Sequence, residues 1–297
     1  MFITITGELG SGKSTIAKLM NQEYGFEIYS TGSIQREIAK EKGITTLELN
    51  QQMSNDINNI YDKMIDEKTV ELSQNSVGKN IVFDSRMAWH FVNKSLKVYV
   101  TVDPYVAAKR VIMAGRGKEE QYQSIEEATK SLLKRKELED SRFAEMYFVN
   151  TTDFNNYDLI IDSTSISAND LARIVFNKAR SENNKQEIYL SIQRLYPTQT
   201  IRDIDPDYVK NLKTDDNTIP IEVVEFDGFY YIIDGHHRVC SRIQNGEKLI
   251  PVIILRVNDE GYIEKYNKKV EEIIKIPNGC YYDWEDFNSI KFFGYPN

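Results

Sequence analysis

The sequence predicts an α/β fold: a parallel sheet covered by helices on both faces, in three α/β/α layers, followed by a smaller α+β domain. Three observations carry this. Short apolar, β-branched runs (Met1–Thr6, Gly25–Tyr29, Lys79–Asp84, Leu96–Val102, Tyr157–Asp162) alternate with stretches of helical periodicity. A glycine-rich loop, Gly7-Glu8-Leu9-Gly10-Ser11-Gly12-Lys13-Ser14, joins the first strand to the first helix. Beyond the charged, amide-rich segment Ser181-Glu182-Asn183-Asn184-Lys185-Gln186 the pattern becomes shorter and richer in strands. That segment predicts a domain boundary, with domains spanning 1–182 and 187–297.

Each element has a local reason. Thr15–Asn21 carries apolar residues at helical spacing after the loop. Ser30-Thr31-Gly32-Ser33 offers hydroxyl caps to a helix from about Ile34 to Lys42, which Gly43 stops. A further helix starts at Thr45 or Thr46 and runs through Tyr61 and Val70 toward Asn75. Pro104 opens the helix that follows the fourth strand. Ala114–Gln123 is polar and punctuated by glycine, so it reads as a mobile flap, and Ile125–Phe148 returns to helix with Lys130, Lys134, Arg135, Lys136 and Arg142. Ala168–Arg180 closes the first domain. In the second, Ile188–Ile192 is a strand, Pro206–Leu212 a helix, and Asp227-Gly228 the turn of a hairpin between Ile221–Phe226 and Phe229–Ile233. A helix to about Asn245 and the strand Leu249–Leu255 follow, then an aromatic tail from Gly261 that reads as a helix plus an irregular wrap.

The chain has 297 residues, 41% hydrophobic and 28% charged, with a net charge of −8. That acidity argues against general electrostatic binding of nucleic acid, though a local basic patch is compatible with it. Cys240 and Cys280 are far apart and form no C-x-x-C, which argues against a disulfide framework or zinc site. Met1–Thr6 is too short for a signal peptide, and no apolar run approaches the roughly 20 residues of a membrane span. The expectation is a cytoplasmic protein with no membrane partner.

A strand, a glycine-rich loop and a helix N-terminus turn backbone N–H groups into a phosphate cradle. Gly7, Gly10, Ser11, Gly12, Lys13, Ser14 and Thr15 would form it. Lys13 would neutralise the β- and γ-phosphates of a nucleotide, while Ser14 and Asp84 would hold Mg²⁺. Arg86 follows Asp84, Arg110 and Arg116 flank the flap, and Arg135 and Arg142 lie on the next helix. Arginines at several points around one crevice suit phosphoryl transfer between anionic substrates, because planar guanidinium groups clamp the transferring group. The expected catalytic set is Lys13, Asp84, Arg86, Arg116, Arg135 and Arg142, with ATP and Mg²⁺.

On these residues the chain resembles the cytidylate kinases, particularly their short archaeal-type form, from Met1 to about Arg180. The resemblance rests on the loop, on Tyr29–Ala39, Asp84-Ser85-Arg86, the Arg110–Arg116 and Arg135–Arg142 segments, and Tyr157–Thr164. It implies that Ser30, Thr31 and Arg36 face the acceptor nucleotide, that Arg86 holds its phosphate, and that Arg116, Arg135 and Arg142 belong to a lid. The lid helix departs from the family in its order of charges (Lys136-Glu137-Leu138-Glu139-Asp140-Ser141-Arg142-Phe143), and Asp84-Ser85 replaces a more usual small pair.

In the second domain Asp234-Gly235-His236-His237-Arg238 follows a strand and opens a helix, so backbone N–H groups, an imidazole and a guanidinium would converge as a second phosphate site. With Ile188–Arg202, the hairpin and Leu249–Ile254, this turn resembles the ParB/sulfiredoxin superfamily over about Glu187–Val257. The resemblance implies phosphate binding at the turn, in enzymes with DNA partners or in kinases acting on free serine. His236 stands where sulfiredoxins carry cysteine, which argues against sulfinic-acid repair. For the base of a serine kinase, Glu222 and Glu225 are the candidates.

Three readings follow. The first is an ATP- and Mg²⁺-dependent kinase of a nucleoside monophosphate. The second transfers to a hydroxyl of a small molecule or a modified nucleic-acid base presented by the second domain, with Asp84 as base. The third is a nucleotide-gated module that binds DNA or protein, its DNA form disfavoured by the net charge.

Overall fold

The computed structural model describes residues 1–44, 48–49, 52, 60–114, 122–212, 219–275 and 279–295. The chain divides into two compact units, one of Met1–Ser163 with Ser167–Gln186, the other of Thr164–Ile166 with Glu187–Asn297.

In the first unit β1 (Phe2–Gly7), β2 (Glu27–Ser30), β3 (Ile81–Asp84), β4 (Ser95–Thr101) and β5 (Leu159–Asp162) lie in the order β2-β3-β1-β4-β5, each pair parallel. The strands are near-continuous apolar runs because both faces are covered: Ile3, Ile5, Val82, Phe83, Val98, Val100 and Ile160 are fully buried. The helices are α1 (Lys13–Tyr24), α2 (Thr31–Glu41), α3 (Ile60–Asn75), α4 (Ala88–Phe91), α5 (Pro104–Ala114), α6 (Ile125–Tyr147) and α7 (Ala168–Arg180). The α/β fold with its parallel sheet is thus the one the alternation predicts.

Local chemistry sets the helix ends. Helix α1 buries Ile16, Ala17 and Met20 and stops at Gly25, whose φ of 73° is left-handed. Helix α2 begins at Thr31 rather than Ile34, because Ser30 and Ser33 form a capping box: Ser33 N–H donates to Ser30 Oγ at 3.1 Å and Ser30 N–H to Ser33 Oγ at 2.8 Å. Asp103 caps α5 through the N–H groups of Tyr105 and Val106, and Ser124 caps α6 through that of Glu127. The helix expected from Thr45 is seen as α3 from Ile60, and most of 45–59 lies outside the described residues. So do 115–121 of the expected flap, including Arg116.

The second unit holds β6 (Glu187–Ser191), β7 (Leu195–Tyr196), β8 (Ile221–Phe226), β9 (Phe229–Asp234) and β10 (Leu249–Ile254), in the order β6-β10-β8-β9-β7. The pairing is mixed, antiparallel for β10–β6 and β8–β9 and parallel for β10–β8 and β7–β9. Asp227 and Gly228 take φ of 55° and 81° at the hairpin turn, as a two-residue connection of right-twisted strands requires. Around the sheet lie α8 (Pro206–Asn211), α9 (His236–Gln244), α10 (Val270–Ile273), α11 (Gly279–Asn288) and a small ribbon of β11 (Tyr262–Ile263) with β12 (Lys268–Lys269). The aromatic tail packs as the helix α11 and irregular chain after it: Tyr281, Trp284 and Phe292 are buried with Tyr196, Tyr231 and Cys240 in one core cluster. Among the described residues no helix is long and apolar enough to cross a membrane.

Candidate active site

The site is built at the carboxyl edge of the first sheet, where ligands of open parallel sheets bind. Asp84 pairs in register with Ile5 of β1 on one side and Ser30 of β2 on the other. The glycine loop, the acidic end of β3 and the start of α2 therefore share one edge. Gly7 lies so close to β4 that a Cβ there would be 2.1 Å from the Val100 carbonyl oxygen, and Gly10 so close to α5 that it would be 2.8 Å from that of Ala107. Gly12 caps α1 at φ 86° and faces open space. Lys13 then enters the helix and folds its ammonium back over the loop, donating to the carbonyl oxygens of Gly7 at 2.9 Å and Glu8 at 2.6 Å. Burial pulls its pKa down to about 7, helped by the charge of Arg86 and opposed by Asp84, Glu8 and Glu139. The hydroxyl-bearing Ser14 and Thr15 are exposed at the mouth of the loop.

Two carboxylates that the sequence reading left out organise the cations. Glu8 accepts from Thr101 Oγ1 at 2.9 Å, Val102 N–H at 2.7 Å and Lys136 Nζ at 2.8 Å, so it ties the loop to β4 and to α6. Glu139 accepts from Arg86 Nη1 and from Arg135 Nε, the latter at 3.1 Å. The spacing of Arg135 and Glu139 by four residues was the available signal for half of this arrangement. A small enclosed cavity lies here between Thr6, Gly7, Glu8, Arg86, Tyr99, Lys136, Asp140, Phe143 and Thr151.

The remaining first-unit candidates separate. Arg142 pairs at 3.2 Å with Asp62 of α3 rather than with Glu139. Arg110 is held at the end of β5, donating to Ser163 Oγ at 3.1 Å and its carbonyl at 2.6 Å. Arg36 is exposed on α2, and the Ser30 hydroxyl is engaged in the cap with Thr31 beginning the helix beside it. Beside Arg142, Tyr147 donates to Asp66 at 2.6 Å, and burial of that carboxyl raises its pKa to about 6.

In the second unit the imidazole and guanidinium groups of the expected phosphate site are each engaged with a separate partner. His236 is buried, and its Nε2 accepts from Thr198 N–H at 3.1 Å. The Nε2 of His237 accepts from Asp205 N–H at 3.1 Å. Arg238 folds back onto Asp234 Oδ2 at 2.5 Å and onto the carbonyls of Ile219 and Pro220, both at 3.0 Å. Gly235, at φ 103°, makes the turn. Glu225 accepts from Gly228 N–H within the hairpin, and Glu222 is bound by Lys265 and by the Tyr266 hydroxyl. Burial pushes the Glu222 pKa up, but those two donors outweigh it and hold it below the usual carboxylate value.

A glycine-rich loop on a parallel sheet, with Arg86 and Arg135 joined by Glu139 beside it, is the arrangement of a P-loop enzyme of the kinase type. The chain belongs to the cytidylate kinase-like family, whose pattern matches residues 2–165. A cytidylate kinase from Archaeoglobus fulgidus is 32% identical over 176 residues, 59% of this chain and 92% of that one. An S-adenosylmethionine-dependent nucleotide dehydratase from Lacinutrix mariniflava is 33% identical over 187 residues, 63% of this chain but only 37% of that protein's length. Among solved structures, shikimate kinase from Bacteroides thetaiotaomicron superposes with a TM-score of 0.43 and 15% identity over 60% of this chain and 95% of that one.

Proposed function

We propose that the first unit is an ATP- and Mg²⁺-dependent nucleoside monophosphate kinase with a cytidylate-type acceptor. The observation that carries this is the register of Asp84 with both Ile5 and Ser30, which brings the donor loop and the acceptor-facing start of α2 to one edge, with Arg86 two residues on. The cytidylate kinase relative, matched along almost its whole length, supports the choice of acceptor.

The loop fits a nucleotide phosphate, since Gly12 leaves open space at the α1 N-terminus and Lys13 projects over it. Ser14 and Asp84 would hold Mg²⁺, which supplies charge neutralisation on the phosphates when bound. Lys13 exchanges its carbonyl partners for phosphate oxygens. Arg86 binds the acceptor phosphate, and Arg135 and Lys136 on α6 bring further positive charge to the transferring group. A phosphate acceptor is already nucleophilic, so no side chain is required as base.

We read the second unit as ParB/sulfiredoxin-like on its hairpin, the Asp234–Arg238 turn and the strand after it. A phosphate at that turn would draw His237 from Asp205 and Arg238 from Asp234. Titrating the full chain with inorganic phosphate, with and without Arg238→Gln, tests that site.

The main test is turnover of the purified full chain with ATP and Mg²⁺ against CMP, dCMP, UMP, AMP, serine and DNA. The expected result is transfer to CMP or dCMP, abolished by Lys13→Ala. Transfer to serine or to DNA alone would overturn the reading.

A further inference from the structure

Glu139 stands where no substrate contact has been assigned, yet it sits at the centre of the site's positive charge. It lies on α6 with 20% of its side chain exposed, and one carboxylate bridges two guanidinium groups from separate elements, Arg86 after β3 and Arg135 on α6. Its charge also reaches Lys13. Glu8, of the glycine loop, pairs with Lys136 of α6 at 2.8 Å. Two internal carboxylates thus bind three of the cations that face a phosphorylated substrate. A carboxylate presents to guanidinium the same pair of anionic oxygens that a phosphate monoester does, so either anion fits the same fork.

Resting on the kinase reading above, we propose that Glu139 is an internal competitor that occupies the Arg86 and Arg135 guanidinium groups in the free protein, and that the phosphate of the acceptor displaces it. Acceptor binding is then an exchange of anions on a fixed pair of guanidinium groups. The arginines are kept paired before substrate arrives, which avoids two like charges held close with no counter-ion. Only an acceptor bearing a phosphate dianion out-competes the carboxylate, so a nucleoside or a free alcohol leaves Glu139 in place. Glu139 in this way selects for a phosphorylated acceptor without touching it.

The test is calorimetric titration of the full chain, without ATP, using CMP and inorganic phosphate as separate probes on the wild type, Glu139→Gln and Glu139→Asp. Thermal melting of each variant checks its folding. Removing the internal competitor should tighten binding of both probes at least about threefold in Glu139→Gln. Glu139→Asp, which keeps the charge, should return toward the wild type, a dependence on charge that a packing role would not show. Arg135→Gln should weaken both probes, and gives a second readout if Glu139→Gln fails to fold. Unchanged or weaker phosphate binding in Glu139→Gln overturns the exchange, as does an absence of phosphate binding in every form. Tighter phosphate without any CMP binding would keep the exchange and remove the cytidylate reading. CMP turnover with Glu139→Gln binding like the wild type would do the reverse.

Discussion

The Lys13 ammonium donates to the Gly7 carbonyl oxygen at 2.9 Å, so the lysine proposed to bind phosphate is occupied by its own loop. With burial and Arg86 against it, its pKa is about 7 against an ordinary 10.5. A bound polyphosphate stabilises the charged form and raises that pKa again. Between pH 7 and the pKa of the complex, binding therefore takes up a proton, and affinity for ATP falls by up to about tenfold per pH unit. Calorimetry in buffers of different ionisation enthalpy should show almost no proton uptake at pH 6 and close to one per site at pH 8.5. Lys13→Met should show none at either pH.

Gly7 and Gly12 should fail differently when each is replaced by alanine. At Gly7 a Cβ would lie 2.1 Å from the Val100 carbonyl oxygen at a φ of 133°, so β1 and β4 must separate. Gly7→Ala should cost about 3 kcal/mol or more of stability. At Gly12 the φ is 86° but no atom lies within 4 Å of the new Cβ. Gly12→Ala should cost only about 1–2 kcal/mol, the penalty of a left-handed alanine, while its methyl group obstructs the cradle. Chemical denaturation alongside ATP titration separates the two, with Gly12→Ala losing binding out of proportion to stability.

What was legible in the sequence was local. The loop spacing and the alternation of strands with helices gave the parallel sheet, because each depends on residues a few positions apart. Asp227-Gly228 gave its hairpin for the same reason. The contact of Arg86 with Glu139 spans 53 positions and depends on where α6 lies over the loop, which periodicity does not encode. Arg135 and Arg142, seven positions apart on one helix, looked equivalent, but Asp62 of α3 takes the second. After Asp234 the spacing of His236, Val239 and Cys240 marks one helical face, and that face is buried, which turns the His236 imidazole inward.

Asp66 should be a source of instability at neutral pH. Its folded pKa, raised to about 6 from 3.8 chiefly by burial, means that folding opposes its ionisation. The folded state then holds the proton more tightly between about pH 4 and 6. Stability from this group falls as pH rises through that window, and the penalty is complete above it. Asn at this position keeps an acceptor for the Tyr147 hydroxyl and removes the charge. Asp66→Asn should therefore stabilise the first unit by about 1 kcal/mol at pH 7, a figure reduced for the part of the carboxyl that water still reaches. The gain should vanish near pH 4, as urea denaturation at the two pH values would show.

His236 should make the second unit acid-sensitive. Burial, with a smaller effect of His237, lowers its pKa from 6.5 to about 3. Its Nε2 must stay unprotonated to accept from Thr198 N–H. The unfolded chain takes up a proton below pH 6.5 that the folded unit refuses, so stability is complete above 6.5 and declines as pH falls toward 3. Between pH 6.5 and 4.5 the loss should be about 2 kcal/mol, as the slope rises from half its full value at pH 6.5 toward roughly 1.4 kcal/mol per pH unit. Trp284, 5.9 Å from the His236 ring between centroids, reports on this unit once Trp89 is replaced by phenylalanine. In that background, denaturation followed by fluorescence should show the acid slope. Adding His236→Gln, which offers an acceptor without a titrating ring, should remove most of it, whereas an unchanged slope would place the acid sensitivity on another group.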